Sequence, residues 1–295
     1  SVTSQPYHPH DTHAADPGRI GFDVNIAGHA SGAPGSYYGT HHFMNAKSET
    51  DFSKQTVWDV PGMEKYHGQD IYLTEALAIE AVEAMDEAVA GNRPFFLHFA
   101  PYAVHTPIMA NRKLLDHYPD LHPREAAYAT MVESVDNALG QLLDRLEDHG
   151  IEEKTIVLIT GDNGGLSAHA RGGTPHVHNA PLRSGKGSAY EGGIRVPGII
   201  RWPGVTTPGT RIDAPDVTQD WYPTLLGAAG ARSLMSSLQP IDGTDLRGVL
   251  KGDEAAGEPE RILFFHQPHQ GRPHHDAVGM EGQCACVLRG GDSKP

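Results

Sequence analysis

Three short segments hold residues whose chemistries fit one another. Gly161-Asp162-Asn163-Gly164-Gly165 sets a carboxylate beside an amide carbonyl, hard oxygen donors of the kind Ca²⁺ or Mg²⁺ takes, with glycines that let the backbone turn tightly round an ion. Calcium takes about six to eight oxygens, so its other ligands must come from elsewhere in the fold; taken alone, the same letters also spell an ordinary Asp-Asn-Gly turn. In Pro181-Leu182-Arg183-Ser184-Gly185-Lys186-Gly187-Ser188-Ala189-Tyr190-Glu191-Gly192-Gly193-Ile194-Arg195-Val196-Pro197, four glycines admit close backbone approach. Lys186, between two of them, is a compact point charge able to grip a tetrahedral oxyanion. The spacing is not that of a nucleotide-binding Walker loop, and Arg183, Glu191 and Arg195 can instead pair with one another and hold the loop. Pro101-Tyr102-Ala103-Val104-His105-Thr106-Pro107 fixes a histidine between two prolines, where it can donate to an anionic group or a leaving oxygen, or rest against its own backbone. Together the three suit hydrolysis of a sulfate or phosphate ester, with metal and cations holding the charge of the transferring group.

The elements around them give each segment a place. Phe95-Phe96-Leu97-His98-Phe99-Ala100 reads as a short buried strand leading to His105, residues 155–160 as a second leading to Asp162, and residues 196–202 as a third after the Lys186 loop. Leu73, Leu77, Ala78, Val82, Met85 and Val89 mark an amphipathic helix over residues 72–90, stopped by Gly91-Asn92. Pro123 opens a second helix, with Tyr128, Met131, Val132, Val135, Leu139, Leu142, Leu143 and Leu146 as one stripe before His149-Gly150. Residues 221–229 read as a short helix and 262–265 as a fourth strand. This alternation predicts an α/β fold, a mostly parallel sheet with helices on both faces, which gathers ligands at the carboxyl ends of its strands.

Composition narrows the partners. The chain of 295 residues has 23 Lys and Arg against 37 Asp and Glu, a formal charge of −14, which argues against nucleic acid or an anionic membrane surface. No run of about 18 apolar residues is available to span a membrane, and Ser1 to Pro17 is polar, unlike the apolar centre of a signal peptide. Cys284 and Cys286 are too few for a disulfide framework and too close to bond each other well. The histidine clusters, His8, His10 and His13, His41 and His42, His176 and His178, and His266, His269, His274 and His275, read as solvated loops, and residues 1–70 as long ordered loops.

These segments, Leu182 to Pro197 above all, resemble the sulfatase family, especially bacterial arylsulfatase-like enzymes of the alkaline-phosphatase-like superfamily; the resemblance runs from about Gly21 to about Asp292. It implies an alkaline-phosphatase-like core, bound Ca²⁺ rather than Mg²⁺, a sulfated small molecule or glycan as substrate, and a periplasmic or secreted protein. It also implies a formylglycine nucleophile made from cysteine or serine. By the same resemblance Asp162 ligates the metal and helps activate the nucleophile, Asn163 is the neighbouring ligand, His105 hydrogen-bonds the ester and protonates the leaving oxygen, and Lys186 binds the sulfate; Ser184 and Glu191 support the loop. Residues 1–250 would form an incomplete catalytic α/β domain and 251–295 the start of a C-terminal subdomain. Neither Cys284 nor Cys286 stands in the family's Cys-x-Pro/Ala-x-Arg, and the paired aspartates and Lys-x-His segment have no match. The expectation is therefore a partial chain that binds Ca²⁺ weakly and does not turn over alone. Two other readings are a phosphodiesterase or phosphonate hydrolase of the same superfamily, and a non-catalytic binder of sulfated glycans.

Overall fold

A computed structural model describes residues 17–19, 21–28, 32–44, 60–166, 178–188, 190–235, 240–253, 256, 261, 263–268 and 284–289, the last two stretches by backbone alone beyond Leu263. The clustered His8, His10, His13, His176, His269, His274 and His275 lie outside these residues. The chain forms two compact units, residues 1–152 and 153–295.

The first unit is built on α1 (Leu73–Ala90) and α2 (Pro123–Asp148), which pack on each other. Leu73 donates its N–H to the Tyr37 carbonyl at 2.8 Å, satisfying one of the orphan donors of the first turn of α1. At the other end Gly91 donates back to Glu87 at 3.0 Å, and Asn92 takes the left-handed conformation (φ 48°). Pro123 occupies the first turn of α2, where its missing N–H is no loss, and the His122 ring accepts from Arg124 N–H at 3.3 Å. The buried face of α2 differs from the expected stripe: Ala126, Thr130, Met131, Ser134, Ala138, Leu142 and Leu146 are inside, while Val132 is 47% exposed. Small residues at four-residue spacing face inward, and Ala76, Ala78, Ala81 and Ala88 are buried on α1. Close packing of two helices selects small side chains at the contact, which a count of large apolar residues misses.

The segment before α1, expected to be loop, supplies the core of this unit. Tyr37, Tyr38, Phe43, Val60, Met63, Tyr66 and Tyr72 are buried with Leu73, Ala76, Leu77 and Met131 in one cluster. The Tyr37 and Tyr72 rings stack at 5.4 Å, and Tyr38 meets Tyr72 edge-on at 5.5 Å.

The second unit contains the described strands. β1 (Val157–Thr160) pairs antiparallel with β2 (Gly198–Arg201), Val157 opposite Arg201 and Thr160 opposite Gly198. β3 (Leu263–Pro268) pairs antiparallel with β4 (Cys284–Arg289). Among its described residues the unit also has three α-helices, α3 (Glu191–Ile194), α4 (Thr218–Ala228) and α5 (Arg247–Leu250). Among the described residues every strand pair is antiparallel, and the mostly parallel sheet expected from the sequence is not among them. One sequence expectation needs correction here. Residues 95–100 form no strand, and Phe96 is 66% exposed. An apolar run becomes a buried strand only where neighbours pair with its edges and cover its faces, and among the described residues none pairs with this one.

Candidate functional site

In the second unit the chain turns after β1 through Gly161 to Gly165, and this turn is fastened to the Lys186 loop by backbone. Gly164 N–H donates to the Gly193 carbonyl and Lys186 N–H to the Gly165 carbonyl, both at 2.9 Å. The Asn179 amide, which carries two protons, donates to the carbonyls of Gly165 and Ser184, each at 3.0 Å, clamping turn and loop from one side. Two glycines allow the approach. A Cβ on Gly164 would sit 1.8 Å from the Gly192 oxygen, and one on Gly192 would sit 2.2 Å from the Ser184 oxygen. Asp162, Asn163 and Lys186 are thus carried by two segments locked together.

The side chains on this frame are disposed as follows. Asp162 is exposed, and its Oδ1 accepts from the Asn163 amide at 2.6 Å. That leaves Asp162 Oδ2 and Asn163 Oδ1 as two oxygens without protein donors among the described residues. They fit Ca²⁺ in kind and fall short of it in number, and no group of three or more His, Cys, Asp or Glu that could hold a metal occurs among the described residues. Lys186 is half-buried, and its ammonium has no carboxylate partner among the described residues. The loop is instead held by its neighbours: Arg195 pairs with Glu191 at 3.1 Å, and the Arg183 guanidinium lies 4.0 Å over the Tyr190 ring. Ser184 holds a left-handed backbone (φ 66°). Ser188 is 5% exposed, and its hydroxyl is buried without a partner among the described residues.

His105 belongs to the first unit. Its N–H donates to the Tyr102 carbonyl at 2.8 Å, closing a tight turn. The ring Nδ1 lies 3.0 Å from the Thr106 carbonyl. A carbonyl can only accept, so this contact calls for a proton on Nδ1; in the tautomer that carries it the lone pair lies on Nε2, which has no protein partner among the described residues. Three buried tyrosines fasten the stretch that carries it. The Tyr37 hydroxyl is 2.8 Å from both the Tyr102 and the His105 carbonyls, Tyr72 donates to Met109 at 2.8 Å, and Tyr38 donates to Ala110 at 2.7 Å. Burial pushes the Tyr37 and Tyr72 phenols well above the usual range, so both remain donors at any working pH.

Sequence reasoning passed over Tyr37, Tyr38, Tyr72 and Asn179, and Tyr102 only as part of the loop. The adjacent pair Tyr37-Tyr38 was the available signal, since two phenols that are buried must find acceptors. Asn179 carries no comparable mark.

The sulfatase family model matches residues 6–231. A sulfatase of Formosa agariphila is 36% identical over 215 residues, covering 68% of this chain and 38% of that protein. The steryl-sulfatase of Rattus norvegicus is 35% identical over 217 residues, covering 70% of this chain and 35% of its own length. The crystal structure of Ps i-CgsB superposes with a TM-score of 0.71 at 28% identity, covering 88% of this chain and 56% of that one; it is also solved in complex with k-i-k-neocarrahexaose. The chain therefore spans between 35% and 56% of the length of these relatives.

Proposed function

The chain belongs to the sulfatase family, and we propose that its Asp162, Asn163, Lys186 and His105 form part of the site with which the whole protein hydrolyses sulfate esters. The observation that supports this best is the locked pair of segments, Gly161–Gly165 and Pro181–Val196. It sets two hard oxygens and an ammonium with no carboxylate partner among the described residues on one frame, held by the two 2.9 Å backbone bonds. A half-buried cation without a carboxylate is a group waiting for an anion. Among sulfate esters a sulfated carbohydrate is favoured, because the relative solved with a hexaose covers 88% of this chain.

In this reading Lys186 binds the sulfate and holds charge that builds on it in the transition state. Asp162 and Asn163 would hold Ca²⁺, which supplies Lewis-acid stabilisation of the sulfate oxygens. Asp162 also helps activate the nucleophile, which would be a formylglycine made from a cysteine or serine that neither Cys284 nor Cys286 provides. His105, with its Nδ1 proton engaged by Thr106, presents Nε2 to the ester and, when protonated there, gives that proton to the leaving oxygen. Residues 1–250 are read as catalytic domain, with a mostly parallel alkaline-phosphatase-like sheet in the whole protein, and residues 251–295 as part of a C-terminal subdomain.

The test uses the whole protein, with an aryl sulfate and an aryl phosphate as probes. Lys186→Ala is expected to lower kcat/KM on the sulfate by about 100-fold or more, the usual loss when one preorganised oxyanion donor is removed. Its thermal midpoint should stay put, because Lys186 makes no ion pair among the described residues. Unchanged sulfate turnover in a folded Lys186→Ala, or faster turnover of the phosphate by the parent protein, would sink the reading.

A further inference from the structure

The hydroxyl of Tyr37 has one proton and two acceptors. It stands 2.8 Å from the Tyr102 carbonyl and 2.8 Å from the His105 carbonyl, the first and last residues of the turn that His105 N–H closes onto Tyr102. Tyr37 is fully buried, its ring is stacked on Tyr72, and its phenol is pushed up by burial, so the donor is fixed in place and always protonated. Tyr72 and Tyr38 do similar work farther along, at Met109 and Ala110. Of the three, Tyr37 is the one that reaches the peptide that follows His105.

That peptide sets the ring. The His105 carbonyl belongs to the peptide plane joining His105 to Thr106, and holding its oxygen fixes how Thr106 leaves the turn. The Thr106 carbonyl, one residue on, is the acceptor that holds the proton on Nδ1 at 3.0 Å and so leaves the lone pair on Nε2. With the Tyr37 bond removed, the His105 carbonyl is free to rotate toward water and the Thr106 carbonyl can swing away from the ring. The competing contact is the Thr106 hydroxyl, 3.3 Å from Nδ1, which can donate as well as accept and so selects no tautomer.

We infer that Tyr37 is a positioning residue for His105: through the His105 and Thr106 carbonyls it fixes the imidazole with its proton on Nδ1 and Nε2 free. The inference rests on the reading of His105 as the group that faces the ester. Its test does not require turnover.

The experiment is nitrogen NMR of the His105 ring in the 295-residue chain, comparing the parent with Tyr37→Phe and with Tyr72→Phe. The second variant removes an equally buried hydroxyl from a carbonyl of the same stretch and controls for general loosening. The parent is expected to show the Nδ1-protonated pattern. Tyr37→Phe should shift both ring nitrogens toward an averaged pattern, with the Nδ1-protonated share no longer dominant, and Tyr72→Phe should leave them in place. If Tyr37→Phe does not fold, 3-fluorotyrosine placed at position 37 alone keeps the ring and the hydroxyl while strengthening the donor, and it should move the His105 signals. Ring nitrogens that stay at parent values in either folded Tyr37 protein, or that move equally in Tyr72→Phe, overturn the inference. Full sulfate turnover by His105→Ala in the whole protein would remove the premise while leaving the NMR result as it stands.

Discussion

Gly192→Ala tests whether the Asp162 turn and the Lys186 loop are one frame. The new Cβ would lie 2.2 Å from the Ser184 oxygen and 2.4 Å from the Arg183 oxygen, both backbone atoms that cannot rotate away. A carbon and a carbonyl oxygen settle at about 3.3 Å or more, so the backbone must give by about 1 Å. That movement breaks Gly192 N–H to Arg183 at 2.9 Å and pulls on Gly193, whose carbonyl accepts from Gly164 at 2.9 Å. Each lost bond is worth about 1 kcal/mol, and the overpacking adds about 1–3 kcal/mol, for a total near 3–5 kcal/mol. In urea denaturation, with a slope of about 1–3 kcal/mol per M, the midpoint of the second unit should fall by at least about 1 M. Gly198→Ala is the companion, because a Cβ there meets nothing within 4 Å, and its unfolding free energy should stay within about 0.5 kcal/mol of the parent. Equal midpoints for the two variants would mean that the loop does not depend on the close approach at Gly192.

Two further outcomes concern ion pairs. Asp86 takes two hydrogen bonds from Arg145, at 2.7 and 2.8 Å, and one contact from His149 at 2.7 Å, which together hold its carboxyl at about 2 against an ordinary 3.8. A lowered acid stabilises the fold fully above its unfolded value and loses that stabilisation as pH falls, so Asp86→Asn should flatten the acid limb of thermal denaturation between about pH 4 and pH 2; an unchanged limb would contradict the assignment. In the second unit, burial alone would raise the Asp220 carboxyl, but hydrogen bonds from Arg261 at 2.7 and 2.8 Å and from the Thr244 and Val217 N–H groups hold it below its usual range. Arg261→Met strands a fully buried carboxylate and should cost about 3–5 kcal/mol in chemical denaturation, whereas a loss under about 1 kcal/mol would show the pair to be dispensable.

The local elements of this protein are legible in its sequence. Apolar spacing placed α1 and α2 to within a residue or two, because helical periodicity is a property of near neighbours along one chain. The segments with metal-compatible and anion-compatible chemistry stood out for the same local reason: Asp162-Asn163 and Gly185-Lys186-Gly187 are each contiguous. What faces what was decided only by tertiary structure. The stripe of large residues on α2 misled, since the helix contact selected Ala138, Ser134 and Thr130 by size. Strand direction followed pairing partners, and β1 found an antiparallel one. The Tyr37 hydroxyl meets carbonyls 65 and 68 positions along the chain, and the close approach at Gly192 lies between backbone segments that no spacing rule relates. Such contacts depend on the distance between chain segments after folding, and the order of residues does not state that distance.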